Sequence, residues 1–257
     1  MARRYIAGTS REDALARAAS LAEEGVSSSI DLFGERVTDP DVAERVCDAY
    51  VALAQALSSA PDGTFLSIDL SHIALDEGAD AARRRLERII SAMPSGARVQ
   101  VGAEEESRAD RTLEVLLGVA RAGGGVSGTI QANLRRSRAD AEALAEAGVP
   151  ARLVKGAYVE DPRVARRWGE ETDLAYIELA ALLHTQAAEV ALATHDPALR
   201  EALLLALPRV SVEMLLGVRD ADARALATRG VPVRVYMPYG ADWFRYAMRR
   251  WAESMGA

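Results

Sequence analysis

Eight short apolar runs recur along the whole chain, and stretches of helical period separate them. The runs are Ser27–Leu32, Phe65–Leu70, Ala97–Ala103, Val126–Ala132, Ala151–Ala157, Glu189–Thr194, Val210–Leu215 and Val233–Pro238. Between them lie Pro40–Leu57, Ala79–Met93, Ala109–Ala122, Ala139–Ala147, Asp173–His184, Pro197–Ala206 and Asp220–Thr228, several ended by Gly or Pro. Two junctions are near copies, Gly148-Val149-Pro150-Ala151-Arg152 and Gly230-Val231-Pro232-Val233-Arg234. In each, Gly closes a helix, Pro blocks its continuation and a strand begins. Strands alternating with helices imply parallel pairing through right-handed crossovers. Eight such units in 257 residues predict an α/β fold, a single-domain (β/α)8 TIM-type barrel spanning residues 1–257. The competing doubly wound sheet lacks support, since no Gly-x-Gly-x-x-Gly follows a strand.

Composition narrows the function. The net charge of −7 argues against nucleic-acid binding, which needs a concentrated positive footprint. A single cysteine, Cys47, excludes a disulfide framework and a cysteine-based zinc site, and fits a reducing, cytoplasmic setting. No apolar stretch approaches the roughly 18–20 residues of a membrane span, and the N-terminal residues do not lead into a signal-peptide core.

Barrel enzymes carry their chemistry at the C-terminal ends of the strands. Those ends supply Glu35, Asp69, Glu104–Glu106, Gln131 with Asn133, Lys155, Thr194-His195-Asp196, Glu213 and Tyr236. Charged groups on apolar strands need a partner or a ligand. Lys155 stands out because it is the one lysine among 31 basic residues. A compact ammonium suits a point charge on a phosphate or an amine nucleophile. Near the C-terminus, Asp242 can cap a helix starting at Trp243, on which Tyr246, Arg249, Arg250 and Glu253 share one face. Paired guanidinium groups there would suit a carboxylate. His195 can be read either as a site residue or as a satisfied core residue, whereas His72 and His184 read as structural. The three histidines show no metal-ligand spacing, and no metal is expected. The run Glu104-Glu105-Glu106 reads as a solvated loop.

Together these segments resemble the proline dehydrogenase family of flavin-dependent (β/α)8 barrels. The stretches that carry the resemblance are Ile30–Glu35, Leu66–Leu70, Arg152–Tyr158, Ala193–Asp196, Met214–Gly217 and Arg234–Glu253. They stand in family order along nearly the whole chain. Arg-Leu-Val-Lys-Gly-Ala-Tyr and the closing Tyr-x-x-Arg-Arg-x-x-Glu are the specific motifs. The resemblance implies FAD as cofactor, with Gln131, Arg152, Lys155, Gly156, Ala157, Thr194, His195, Arg250 and Glu253 along it. It implies a substrate site formed by Glu35, Asp69, Leu215, Tyr236, Tyr246, Arg249 and Arg250. Arg152, Tyr236, Arg249 and Arg250 would be the catalytic residues, with Glu35 gating the site by pairing with Arg249. The implied partners are a small amine or imino-acid substrate and a quinone or other electron acceptor. Quinone reduction leaves peripheral docking on a membrane open.

Two positions depart from the family pattern. Asp69 replaces a lysine that anchors the substrate carboxylate, and Gly102 replaces an aspartate. Asn133, where tyrosine is frequent, is a smaller departure. The expected activity is therefore oxidation of proline or a related small amine to its imine, with a reworked pocket. Two other readings remain at this point. One is a Schiff-base lyase using Lys155. The other is a catalytically silent barrel that binds flavin or another ligand.

Overall fold

The computed structural model describes residues 2–186 and 189–241, together with Trp243, Tyr246 and Met248. Eight parallel strands close into a barrel in sequence order. They are β1 (Ser27–Leu32), β2 (Phe65–Ile68), β3 (Val99–Val101), β4 (Val126–Gln131), β5 (Ala151–Val154), β6 (Val190–Ala193), β7 (Ser211–Leu215) and β8 (Val233–Tyr239). Closure comes from β1 and β8, which pair from Ser27↔Arg234 to Leu32↔Tyr239. The predicted barrel is the observed one.

Helices α2 (Pro40–Ala56), α3 (Ala79–Ser91), α4 (Ala109–Arg121), α5 (Ser137–Glu146), α6 (Glu170–Thr185), α7 (Pro197–Ala206) and α8 (Asp220–Thr228) follow β1 to β7 in turn. An additional helix, α1 (Arg11–Glu23), precedes β1 and packs on β1 and β8. The sequence reading did not include it, because its buried face is the small stripe Ala14, Ala18 and Leu21. Its start was nonetheless legible: Ser10 accepts from the Asp13 amide while Asp13 accepts from the Ser10 amide, a reciprocal cap.

Alternation along the strands separates two environments. Ile30, Leu66, Ile68, Val99, Val101, Leu153, Leu192, Val212 and Val235 belong to the main hydrophobic core. The intervening positions carry polar residues: Gln100, Ser127, Thr129 and Arg152 form a hydrogen-bonded set, Glu213 lies between Arg152 and Arg234, and Asp31 accepts from Tyr50 and Tyr236. Gln100 donates to Thr129 Oγ1 (3.1 Å), and Ser127 donates to Gln100 Oε1 (2.7 Å). Arg152 donates from Nε to Thr129 Oγ1 (3.1 Å). The barrel interior is thus partly polar, where branched aliphatic residues usually dominate. These hydrogen bonds join the neighbouring strands β3, β4 and β5, so parallel pairing brings groups far apart in sequence into reach of one another.

Several boundaries lie inside the predicted runs. β2 ends at Ile68 and β3 spans only Val99–Val101, so Asp69 and Gly102 stand just beyond their strands. The predicted capping role of Asp242, and the placement of Arg249, Arg250 and Glu253, lie outside the described residues.

Candidate active site

A cavity of about 650 Å³ opens at the C-terminal ends of the strands, within the usual ~300–1,000 Å³ of small-molecule sites. Its walls include Glu35, Asp69, Gln131, Arg152, Lys155, Gly156, Ala157, Thr194, His195, Leu215, Tyr236 and Tyr246. Every predicted site residue that the structure describes is therefore brought to one place. They come from sequence positions more than 200 apart, and the loops after β1, β2, β5 and β6 deliver most of them.

Arg152, on β5, is a cation of the wall held from two other strands. Thr129 accepts from its Nε, and its Nη1 lies 3.6 Å from Glu213 Oε2 on β7. Glu213 in turn lies 3.7 Å from Arg234 Nε on β8. Arg234 stacks over the Phe65 ring at 3.3 Å. Burial lowers its pKa to about 10, partly countered by Glu213. A fixed chain of alternating charge thus crosses below the cavity and aims one guanidinium into it.

Lys155 follows β5 and is tied from two sides. Its Nζ is 2.6 Å from Asp173 at the start of α6 and 3.0 Å from Asp196 before α7. Partial burial disfavours the ammonium, but the two carboxylates more than offset this and raise the pKa above the ordinary lysine value. Asp196 also accepts from the Ala198 and Leu199 amides as the cap of α7. The next residue, Gly156, has φ of +124°. A Cβ there would meet Asn133 Oδ1 at 2.2 Å, so a residue without a side chain is required on both counts. Asn133 itself anchors the loop through its backbone, donating to Lys155 O (2.9 Å) and accepting from Arg166 N (2.7 Å).

His195 receives a hydrogen bond at Nε2 from the Leu215 amide, 3.2 Å away, which assigns its ring proton to Nδ1. Gln131 donates from Nε2 to the Glu104 carbonyl at 2.8 Å. Three aromatic rings wall the opposite end. Phe33 and Tyr246 have centroids 5.3 Å apart, and Tyr236 and Tyr246 are 6.1 Å apart.

The β1–β3 side concentrates acids. Asp31 accepts from the hydroxyls of Tyr50 (3.0 Å) and Tyr236 (2.5 Å). Burial drives its pKa up to about 6, against the pull of those hydroxyls and of Arg152. Asp69 lines the cavity nearby, and its pKa is held well above the carboxylate range by burial, then by Asp31 and Glu104. Glu104 is 7% exposed, accepts from the Ser71 amide at 2.9 Å and lies 3.8 Å from Arg108. The solvated-loop reading of residues 104–106 is therefore wrong for Glu104. Its backbone turns the side chain inward beneath the loop after β2, a tertiary outcome that a run of three glutamates does not reveal. No cluster able to hold a metal ion is present among the described residues.

The proline dehydrogenase family profile matches residues 14–256. The chain is 32% identical over 260 residues to proline dehydrogenase 1 of Bacillus subtilis, covering 98% of this chain and 86% of that one. It is also 32% identical over 268 residues to a proline dehydrogenase of Deinococcus radiodurans, covering 99% and 86%. This chain belongs to the proline dehydrogenase family.

The solved structure of proline utilization A from Bdellovibrio bacteriovorus, described as inactivated by N-propargylglycine, superposes with a TM-score of 0.89 at 23% identity. Proline utilization A of Bradyrhizobium japonicum gives 0.80, also at 23%. This chain spans about a third of each of those longer proteins, 32% and 31%, so they establish the shared barrel.

Against this proline dehydrogenase background, the Schiff-base reading of Lys155 finds no support. An amine nucleophile has to shed its proton near neutrality, whereas Asp173 and Asp196 hold this one charged. Sequence reasoning overlooked Thr129, which positions Arg152, and Trp168, which lies between β5 and α6 on the cavity rim. The inward parity of β4 was a signal for Thr129; nothing in local periodicity pointed to Trp168. Among the described residues no helix is long and apolar enough to cross a membrane.

Proposed function

We propose that this family member is an FAD-dependent oxidoreductase that converts proline or a related small amine to its imine. The observation that carries the reading is the convergence of every described candidate on one cavity at the C-terminal ends of the barrel strands. The lining fits a flavin chemically. Ala157, a small residue just past β5, leaves room along the wall, while Gly156 lets the loop close on Asn133. Gln131 and His195 offer polar edges, and Arg152 and Lys155 supply fixed positive charge. Bound there, FAD supplies the two-electron acceptor for the hydride removed from the carbon next to the amine nitrogen.

The chain's own residues do the rest. Arg152, locked by Thr129 and Glu213, presents a positive charge that needs no rearrangement as negative charge develops on reduction. Lys155 serves as a permanent cation along the cofactor. The Phe33, Tyr246 and Tyr236 rings form an apolar wall that excludes water from a small ring held against them. Arg249 and Arg250 of the closing motif are assigned to the substrate carboxylate, with Glu35 as the gate, and Glu253 joins the cofactor contacts. The electrons then pass to a quinone or another acceptor.

Purified protein tests this directly. It should be yellow, with a flavin spectrum that bleaches when a small amine substrate is added without oxygen. A folded protein that neither carries nor takes up FAD would overturn the reading. A flavin-loaded protein that no small amine reduces would instead favour the ligand-binding alternative.

A further inference from the structure

The loop ends of β2 and β3 fit each other in a way the proposed reaction does not by itself require. Gly102 lies just past β3, with its amide bonded to the Ile68 carbonyl at 2.8 Å. A Cβ built on Gly102 would fall 1.9 Å from Asp69 Oδ1 and 3.1 Å from its Cγ. The Asp69 carboxyl therefore rests in the space that any other residue at 102 would fill. That seat directs it into the cavity it lines with Tyr236 and Arg152.

We propose that Asp69, seated by Gly102, is the specificity-determining residue of the pocket. It selects substrates that present a nitrogen-borne hydrogen, an ammonium or amide N–H, to the β2–β3 side and disfavours those that present a carboxylate there. The inference rests on the amine-oxidising reading and specifies its substrate class.

The surroundings supply the reason. Among the described residues, those facing Asp69 are Asp31 and Glu35 from the β1 end, Glu104 from the β3 end, Tyr50, Tyr236 and the cation Arg152. Arg152 is already engaged by Glu213. A further carboxylate placed here would add negative charge beside Asp31, Asp69 and Glu104, whose pKa values burial already raises. A nitrogen donor reverses the sign of that interaction and gives the carboxyl a partner. Gly102 acts through Asp69, as a positioning residue.

L-Prolinamide and L-proline share a ring and differ in this one group, which makes them the probes. Two readouts are needed. One is anaerobic bleaching of the FAD-loaded protein, and the other is calorimetric binding to the same protein, which requires no turnover. In both, the prolinamide-to-proline ratio should be roughly tenfold higher in the native protein than in the nearly isosteric Asp69→Asn, the size of one hydrogen bond. Asp69→Lys should lower the ratio further. Gly102→Ala should lower the ratio while leaving Asp69 in the chain, because it expels the carboxyl from its seat. Burial holds the Asp69 pKa above the ordinary carboxylate range, so the native protein should lose affinity for proline as rising pH ionises it, and Asp69→Asn should weaken that dependence. A prolinamide-to-proline ratio that stays at its native value in both Asp69→Asn and Gly102→Ala would overturn the assignment. If neither compound bleaches the flavin while the binding preference follows the variants, the amine-oxidising reading fails and the specificity assignment stands.

Discussion

On the β5–β7 side of the cavity each charge meets its opposite. Arg152 faces Glu213, Glu213 faces Arg234, and Lys155 lies between Asp173 and Asp196. On the β1–β3 side Asp31, Asp69 and Glu104 crowd together, and among the described residues Arg152 is the cation that acts on both Asp31 and Asp69. The first arrangement makes fixed positive charge available at no reorganisation cost, as suits an acceptor that gains electrons. The second stores protons on buried acids and leaves the local charge open to whatever a substrate brings. Within one barrel, the side that follows the family motif is electrostatically closed. The side that departs from it is open.

Breaking the closed side should have the largest effect. Arg152→Ala leaves Glu213, which is 6% exposed, with only the more distant Arg234. Removal of one partner from a buried pair typically costs about 3–5 kcal/mol. Urea unfolding should register a loss in that range together with a fall in retained flavin. Unchanged stability would show that the Arg152–Glu213 pair contributes nothing.

The open side should reveal itself through pH. The pKa of Asp31 is raised from 3.8 to about 6, so the folded state binds its proton more tightly than the unfolded chain does. The stability it contributes is fully present below about pH 4 and is lost as pH rises through about 6, by about 3 kcal/mol. Asp31→Asn should remove that component. The stability difference between the two proteins, followed by urea unfolding across this window, should shift by that amount in favour of the native protein at acid pH. A difference independent of pH would place the proton elsewhere in the cluster.

Lys155→Met should give the smallest effect on stability, about 1–2 kcal/mol, because its side chain is 25% exposed and water screens part of the pairing. Flavin retention should fall more noticeably than stability. Borohydride should trap no carbonyl substrate on Lys155 in the native protein, in keeping with an ammonium that stays charged. A trapped adduct would mean that the two carboxylates do not hold the proton.

Much of the fold was legible because its determinants are local. Gly148-Val149-Pro150 and Gly230-Val231-Pro232 punctuate the chain by backbone chemistry alone. The outward-facing apolar positions of each strand show through its alternation. The missed helix α1 is an instance of the same rule, since its small alanine face gives little periodic contrast while its Ser10–Asp13 cap was readable. The candidate site was legible to the extent that barrel chemistry gathers at strand ends, which placed Glu35, Asp69, Gln131, Lys155 and His195 together in advance, while Arg152 came from the family resemblance. Their partners were not legible. Lys155 finds Asp196 across 41 positions, and Gln131 finds the Glu104 carbonyl across 27.

The sequence by itself determined the alternation of strand and helix, the parallel barrel that follows from it, and the set of polar residues delivered to one rim. Tertiary structure decided their charge. Closure of the barrel set Lys155 between two carboxylates, drew Glu104 out of solvent, and laid the Asp69 carboxyl over Gly102. Periodicity fixes which way a side chain points, whereas its protonation depends on what burial brings within a few ångströms of it.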